Sequence, residues 1–128
     1  MSDLYPTGVQ LIAAERHRQI TSEGWTPEHD DEHDNEELAR AAVCYALPAQ
    51  WRVVKRPEMF WPLALTPNLP KGGSNYYGLW PWEPGYWKPT PNDRIRELVK
   101  AGALIAAEID RLQRLAPSAD DGERNKEV

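Results

Sequence analysis

Cysteine is almost absent from this chain: Cys44 is the only one in 128 residues, which excludes an internal disulfide framework and fits a reducing cytosol. No block of lysine and arginine occurs, and the formal charge is −5 with a pI near 5.2. Phosphate contacts need clustered basic side chains, so a nucleic-acid backbone is not expected as the main partner. Long apolar runs are also missing. The longest, Ala101 to Ala107, is far too short to span a bilayer. The opening MSDLYPTGVQ has no charged head followed by an apolar run, so no export signal is expected. The expectation is a soluble cytoplasmic protein of one domain, with a modest core.

Tryptophan and proline, by contrast, are in excess. Of six tryptophans and twelve prolines, five and nine respectively fall between Pro48 and Pro91. That concentration separates helical ends from an aromatic, proline-punctuated middle. The first helix is expected from the N-cap Thr7 to Ser22, with Gly24 just beyond. Its apolar face is Val9, Ile12, Ala13 and Ile20, with Glu15, Arg16, Arg18 and Gln19 on other faces. The second helix carries a capping-box pattern, Asp34 with Glu37, then Leu38, Ala41, Ala42, Tyr45 and Ala46 at helical spacing, and Pro48 ends it.

The third helix has Thr90 as cap, Pro91 at the first position and Asp93 at the third. Ile95, Leu98, Val99, Gly102, Ile105, Ala106, Ile109 and Leu112 form its apolar stripe, and Gly102 between two alanines predicts a close helix crossing. Short strands or 3₁₀ turns fit residues 52–55 and 76–80, and Lys71 to Asn75 reads as a loop tip. Residues 117–128 are polar and aperiodic, a disordered tail. The expected architecture is therefore mainly α. It is a single domain over 1–116, with three helices and the Trp/Pro-rich segment 48–91, including a short hairpin, packed across them.

Seven acids and two histidines occupy the ten positions from Glu28 to Glu37. His29, Asp30, Asp31 and His33 form a candidate metal set, because carboxylates suit Mg²⁺ or Mn²⁺ and imidazole adds affinity for Zn²⁺ or Mn²⁺. His29-Asp30 also matches the dipeptide of His-Asp phosphohydrolases, with His17 and Asp110 at poor spacing for the remaining ligands. The plainer and preferred reading is a solvated loop whose acids favour the positive end of the next helix. Trp25 either packs between two helices, the preferred reading, or offers a stacking platform for a flat ring. From Trp80 to Trp87, four aromatics lie in eight positions between prolines that stiffen the backbone. Some of these rings should reach a pocket or partner, and Lys88 stands ready for an anion. Arg16 and Arg18 suit a phosphate or carboxylate clamp. An ion-pair network between the first helix and the acidic stretch is preferred.

The blocks at 15–20, EGWTPEHDD (23–31), EELARAAVCYA (36–46), WPW and YWKP within 80–89, and LVKAGALIAAEIDRL (98–112) resemble, in this order, small accessory proteins encoded by tailed bacteriophages and prophages. The resemblance covers most of residues 9–115 and implies an infected or lysogenic bacterial cell as the setting. It implies no reaction, and the segment Trp51–Tyr77 is longer than its pattern. The order GW, DD, L over 24–38 is similar to the start of ryanodine-receptor-type repeat modules. Glu36-Glu37 and Glu108-Ile109-Asp110 are partly similar to the ExxE and ExxD of all-α nucleotide pyrophosphohydrolases, without that spacing. The expected function is non-enzymatic binding of a small nucleotide-type ligand, sequestering a host defence signal. Trp25, Trp80, Trp82 and Trp87 would stack on flat groups, with Arg18 and Lys88 on phosphate. The alternatives are a divalent-metal nucleotide phosphohydrolase using the His29–His33 set, and an inhibitor docking its Trp-rich face on a host protein. Self-association through that face is also expected.

Overall fold

A computed structural model of the chain describes residues 5–54, 63–67 and 78–115. The expected three long helices are there, in a mainly helical fold, and a fourth short one lies between the first two. α1 (Gly8–Ser22) begins with a full capping box: Thr7 Oγ1 accepts from the Gln10 N–H at 3.2 Å, and Gln10 Oε1 accepts from the Thr7 N–H at 2.8 Å. Gly24, at φ 74°, turns the chain so that the Trp25 N–H donates to the Gln19 carbonyl at 2.9 Å. The buried face of α1 is Glu15 and Gln19, whereas Val9 is 78% exposed and Ile12 and Ile20 are only half-buried. The buried positions are thus not the expected apolar ones, because Glu15 is met inside by Arg18 of the same helix and by Arg96 of the last helix.

α2 (Pro27–Asp31) falls where a loop was expected. Thr26 Oγ1 accepts from the His29 N–H at 3.3 Å, Pro27 starts the helix, and Glu28 and Asp30 lie at its positive end. α3 (Glu37–Ala46) is entered through Glu36 at φ 64°, with no side-chain cap. The Asp34–Glu37 capping box does not form, since the Glu37 carboxylate instead accepts the Asn35 N–H at 2.6 Å. Leu38, Ala41, Ala42 and Tyr45 are buried as the spacing predicts, joined by Cys44.

α4 (Arg94–Leu115) is the hub, packed against α1, α2 and α3. Its cap is Asp93, whose carboxylate accepts the Arg96 N–H at 3.1 Å, rather than Thr90. A side chain on Gly102 would come within 2.7 Å of Ile12 Cγ1, so the expected close crossing is with α1. The predicted apolar stripe is mostly outside: Ile95, Leu98, Ile105, Ile109 and Leu112 are 44–67% exposed, and Val99 alone of its large residues is buried. Alanines, Leu104 and the charged Glu97, Glu108 and Arg111 face inward instead. Small residues admit the neighbouring helices closely, and each inward acid has an arginine to meet.

The aromatic middle lies across α3. β1 (Val53–Val54) pairs antiparallel with β2 (Leu63–Ala64), and 3₁₀ turns form at Ala49–Trp51 and Pro84–Tyr86. The strand expected near 52–55 is present. Residues 78–80 are irregular, and the loop tip at 71–75 and the tail at 117–128 lie outside the described residues. The Leu65 carbonyl accepts from the Leu79 and Trp80 N–H groups at 3.1 and 3.0 Å, and Arg40 Nε holds the Leu79 carbonyl at 3.2 Å. Among the described residues, no helix is long and apolar enough to cross a membrane.

Candidate functional site

The C-terminal end of α3 sets one wall of the site. A helix end leaves four carbonyls without intrahelical donors, and here arginines reach them. Arg52 Nε donates to the Cys44 and Leu47 carbonyls at 3.1 Å each, while Arg94 donates to those of Tyr45, Ala46 and Leu47. Buried Glu97 ties the two arginines together, 2.8 Å from Arg52 and 3.1 Å from Arg94. Burial acts to raise the Glu97 pKa, but these two cations and the Thr90 N–H outweigh it and hold the carboxyl below its usual range. Tyr45 is thereby fixed, and its hydroxyl accepts the Lys88 N–H at 3.2 Å.

Rings then build outward from Tyr45. Trp87 lies 4.6 Å from Tyr45 between ring centroids, Trp80 lies 4.9 Å from Trp87, and Trp82 meets Trp80 edge-on at 5.3 Å. From the other side, Trp25 is parallel to His29 at 6.2 Å, His29 meets His33 edge-on at 4.9 Å, and His33 reaches Trp82 at 5.3 Å. The two series enclose a cavity of about 440 Å³ lined by Trp25, His29, His33, Leu38, Tyr45, Trp80, Trp82, Tyr86 and Leu104 among others. That size is in the range of small-molecule sites. A smaller hollow of about 70 Å³ shares Trp25, Tyr45, Tyr86 and Leu104 with it and is lined further by Glu15, Arg18, Gln19, Glu23, Lys88 and Lys100.

Of the tryptophans expected to bind, Trp25, Trp80 and Trp82 line the large cavity. Trp87 does not: it is 6% exposed, packed under Tyr45 with the Arg52 guanidinium 5.1 Å from its ring. Trp25 packs against the core, its preferred reading, and also borders the cavity. Arg18 and Lys88 border the small hollow. Arg18 grips Glu15 with two hydrogen bonds of 2.9 Å and reaches Glu23 at 3.0 Å. The network expected between the first helix and the acidic stretch is made by Arg16, 2.6 Å from Asp30.

The metal set comes apart. His29 and His33 face the cavity as rings, buried Asp30 faces Arg16, and Asp31 lies 2.7 Å from Arg114. Among the described residues, no group of three or more His, Cys, Asp or Glu side chains is placed to hold an ion. The helical turn of α2 points the adjacent acids Asp30 and Asp31 in different directions, and His33, just past the helix end with its N–H on the Asp30 carbonyl at 3.0 Å, comes back beside His29. Cys44 offers no ready nucleophile, since burial pushes its thiol up to about 11.

Two lining residues were not singled out by sequence reasoning. Gln19 is 2% exposed and gives its amide N–H to Glu15 at 3.2 Å, leaving Oε1 without a donor among the described residues. Lys100 sits 5.3 Å from the Tyr45 ring, and desolvation with the nearby Arg96 lowers its pKa. No periodic signal marks either residue; both matter only because α1 and α4 cross. Trp82 Nε1 is likewise buried with no acceptor among the described residues. No protein-family model, curated protein or solved structure matches the chain.

Proposed function

We propose that this protein binds a small nucleotide-type ligand, a flat ring bearing an anionic group, and holds it without chemical change. The observation that carries the reading is the ring-walled cavity of about 440 Å³ opening beside a hollow bordered by Arg18, Lys88 and Lys100. Aromatic walls favour a planar heterocycle, since stacking contributes about 1–3 kcal/mol per base. Trp82 Nε1, on a ring of the cavity wall, is a buried donor with no acceptor among the described residues, and an unpaired buried group favours a ligand that satisfies it. The lysines meet the anion. Binding without turnover suits a site whose titratable ring groups, His29 and His33, pack against other rings. A ligand withdrawn in this way would include nucleotide signals of a host defence.

The test is a thermal-unfolding panel of mononucleotides and cyclic dinucleotides, each recovered afterwards and checked for integrity. A ligand at one hundred times its dissociation constant adds about 2.7 kcal/mol of stability. Trp82→Ala should abolish the shift, and Lys88→Ala should weaken binding severalfold, while both variants keep the native circular dichroism. If no nucleotide moves the transition, the reading fails. Recovery of cleaved nucleotide would replace a binder with an enzyme.

A further inference from the structure

The apolar stripe that α4 turns outward is a heptad seam. Ile95, Leu98, Gly102, Ile105, Ile109 and Leu112 follow at steps of three, four, three, four and three residues, the a/d spacing of a left-handed coiled coil. Its five side chains are 44–67% exposed. None is charged, and the acids of the same helix that pair with arginine, Glu97 and Glu108, are turned inward. Three charged residues inside, among mostly small apolar ones, and five large aliphatic side chains outside depart from the usual order of a surface helix.

We propose that this seam is the contact face of a homodimer in which α4 packs antiparallel against α4 of a second copy. A repeat of 3.5 residues matches a partner helix with the same repeat, and α4 itself is the described helix that carries one. The seam is self-complementary about a two-fold axis between Ala103 and Leu104. That axis sets Ile95 against Leu112, Leu98 against Ile109, and Gly102 against Ile105. Large meets large at both ends. In the centre, Ile105 meets the position without a side chain, where Ile12 reaches across Gly102 and completes the layer. A parallel pairing would set Gly102 on Gly102 and leave that layer without a seam side chain.

Side chains this exposed present on the order of 400 Å² per protomer, so two copies remove roughly 800 Å² from the seam alone, and flanking atoms bring this to the ~1,000 Å² of a specific interface. This seam is a different surface from the Trp-rich face, of which Trp80 and Trp87 are buried.

Light scattering on the full chain at roughly 100 µM, well above a micromolar dissociation constant, should give twice the 14.6 kDa of one chain. Ile105→Lys and Ile109→Lys should each give a monomer with unchanged circular dichroism, because both side chains are exposed. Pairing is read from a mixture of Leu98→Cys and Ile109→Cys chains under mild oxidation, with buried Cys44 out of reach. Antiparallel packing yields the mixed disulfide, identified as a linked peptide pair by mass spectrometry. A monomeric wild type, or a lysine variant that stays dimeric, overturns the interface. A disulfide joining two Leu98→Cys chains to each other, in place of the mixed one, overturns the antiparallel pairing.

Discussion

Gly24 and Glu36 hold nearly the same left-handed backbone, at φ 74° and 64°, and their side chains make the cost very different. Glycine occupies that region freely, whereas a residue with a Cβ is strained there by about 1–2 kcal/mol. A Cβ on Gly24 would touch nothing within 4 Å, so a substitution there reports the backbone alone. Gly24→Ala is expected to lower stability by about 1 kcal/mol in urea unfolding, with the m-value unchanged. Glu36→Gly should move the other way by about 0.5 kcal/mol, the released strain less the extra freedom of the unfolded chain. If the two changes shift the midpoint in the same direction, the left-handed assignment of these turns is wrong.

Caps and spacing decide which elements form, and they were legible; which face turns inward was not. Thr7 and the Leu38–Tyr45 spacing located α1 and α3 because local hydrogen bonds and periodicity are properties of the segment itself. α2 was missed although Thr26-Pro27 is a proper start, since five residues are too few to show a period. Most apolar positions expected inside on α1 and α4, though not Val99 or the Ile12–Gly102 contact, turn outward for a single physical reason. Pattern reading assigns the interior to aliphatic side chains, but Glu15, Glu97 and Glu108 each find arginine there, and alanines let the helices approach. The site was half legible. Prolines around Trp80 and Trp82 flagged presented rings, while only the placement of Tyr45 by Arg52 and Arg94 decides that Trp87 is filler. At the start of α4 the structure also chooses between two candidate caps. Asp93→Ala should cost about 1 kcal/mol in chemical denaturation, and Thr90→Ala less. The Thr90 contact to Glu97 is made by its backbone N–H, and its hydroxyl makes only a long, exposed bond of 3.3 Å to the Asp93 carbonyl, satisfying no N–H of the helix start.

Across the whole molecule, charge holds the interior together. Glu15 lies 2.9 Å from Arg18 and 2.6 Å from Arg96 and so joins α1 to α4, while Glu97 joins α4 to the end of α3. Burial works to raise both carboxyls, yet their arginines prevail and both lie below the ordinary value near 4.5. A depressed carboxylate contributes stability that is complete above its unfolded pKa, and the contribution is lost as pH falls through the lower folded value. Stability should therefore be flat from pH 7 down to about 5, then decline as protons bind the unfolded chain preferentially. Removing one partner of a buried pair costs about 3–5 kcal/mol, because the other charge stays desolvated. Glu97→Gln should cost about that much at pH 7, but its stability should fall less steeply than that of the wild type below pH 4.5, since one linked proton has been removed. Urea titrations of both proteins at pH 7 and pH 3 test this directly. Curves that stay parallel across that interval would mean that Glu97 keeps the same pKa folded and unfolded, and that the arginine clamp on α3 owes nothing to its charge.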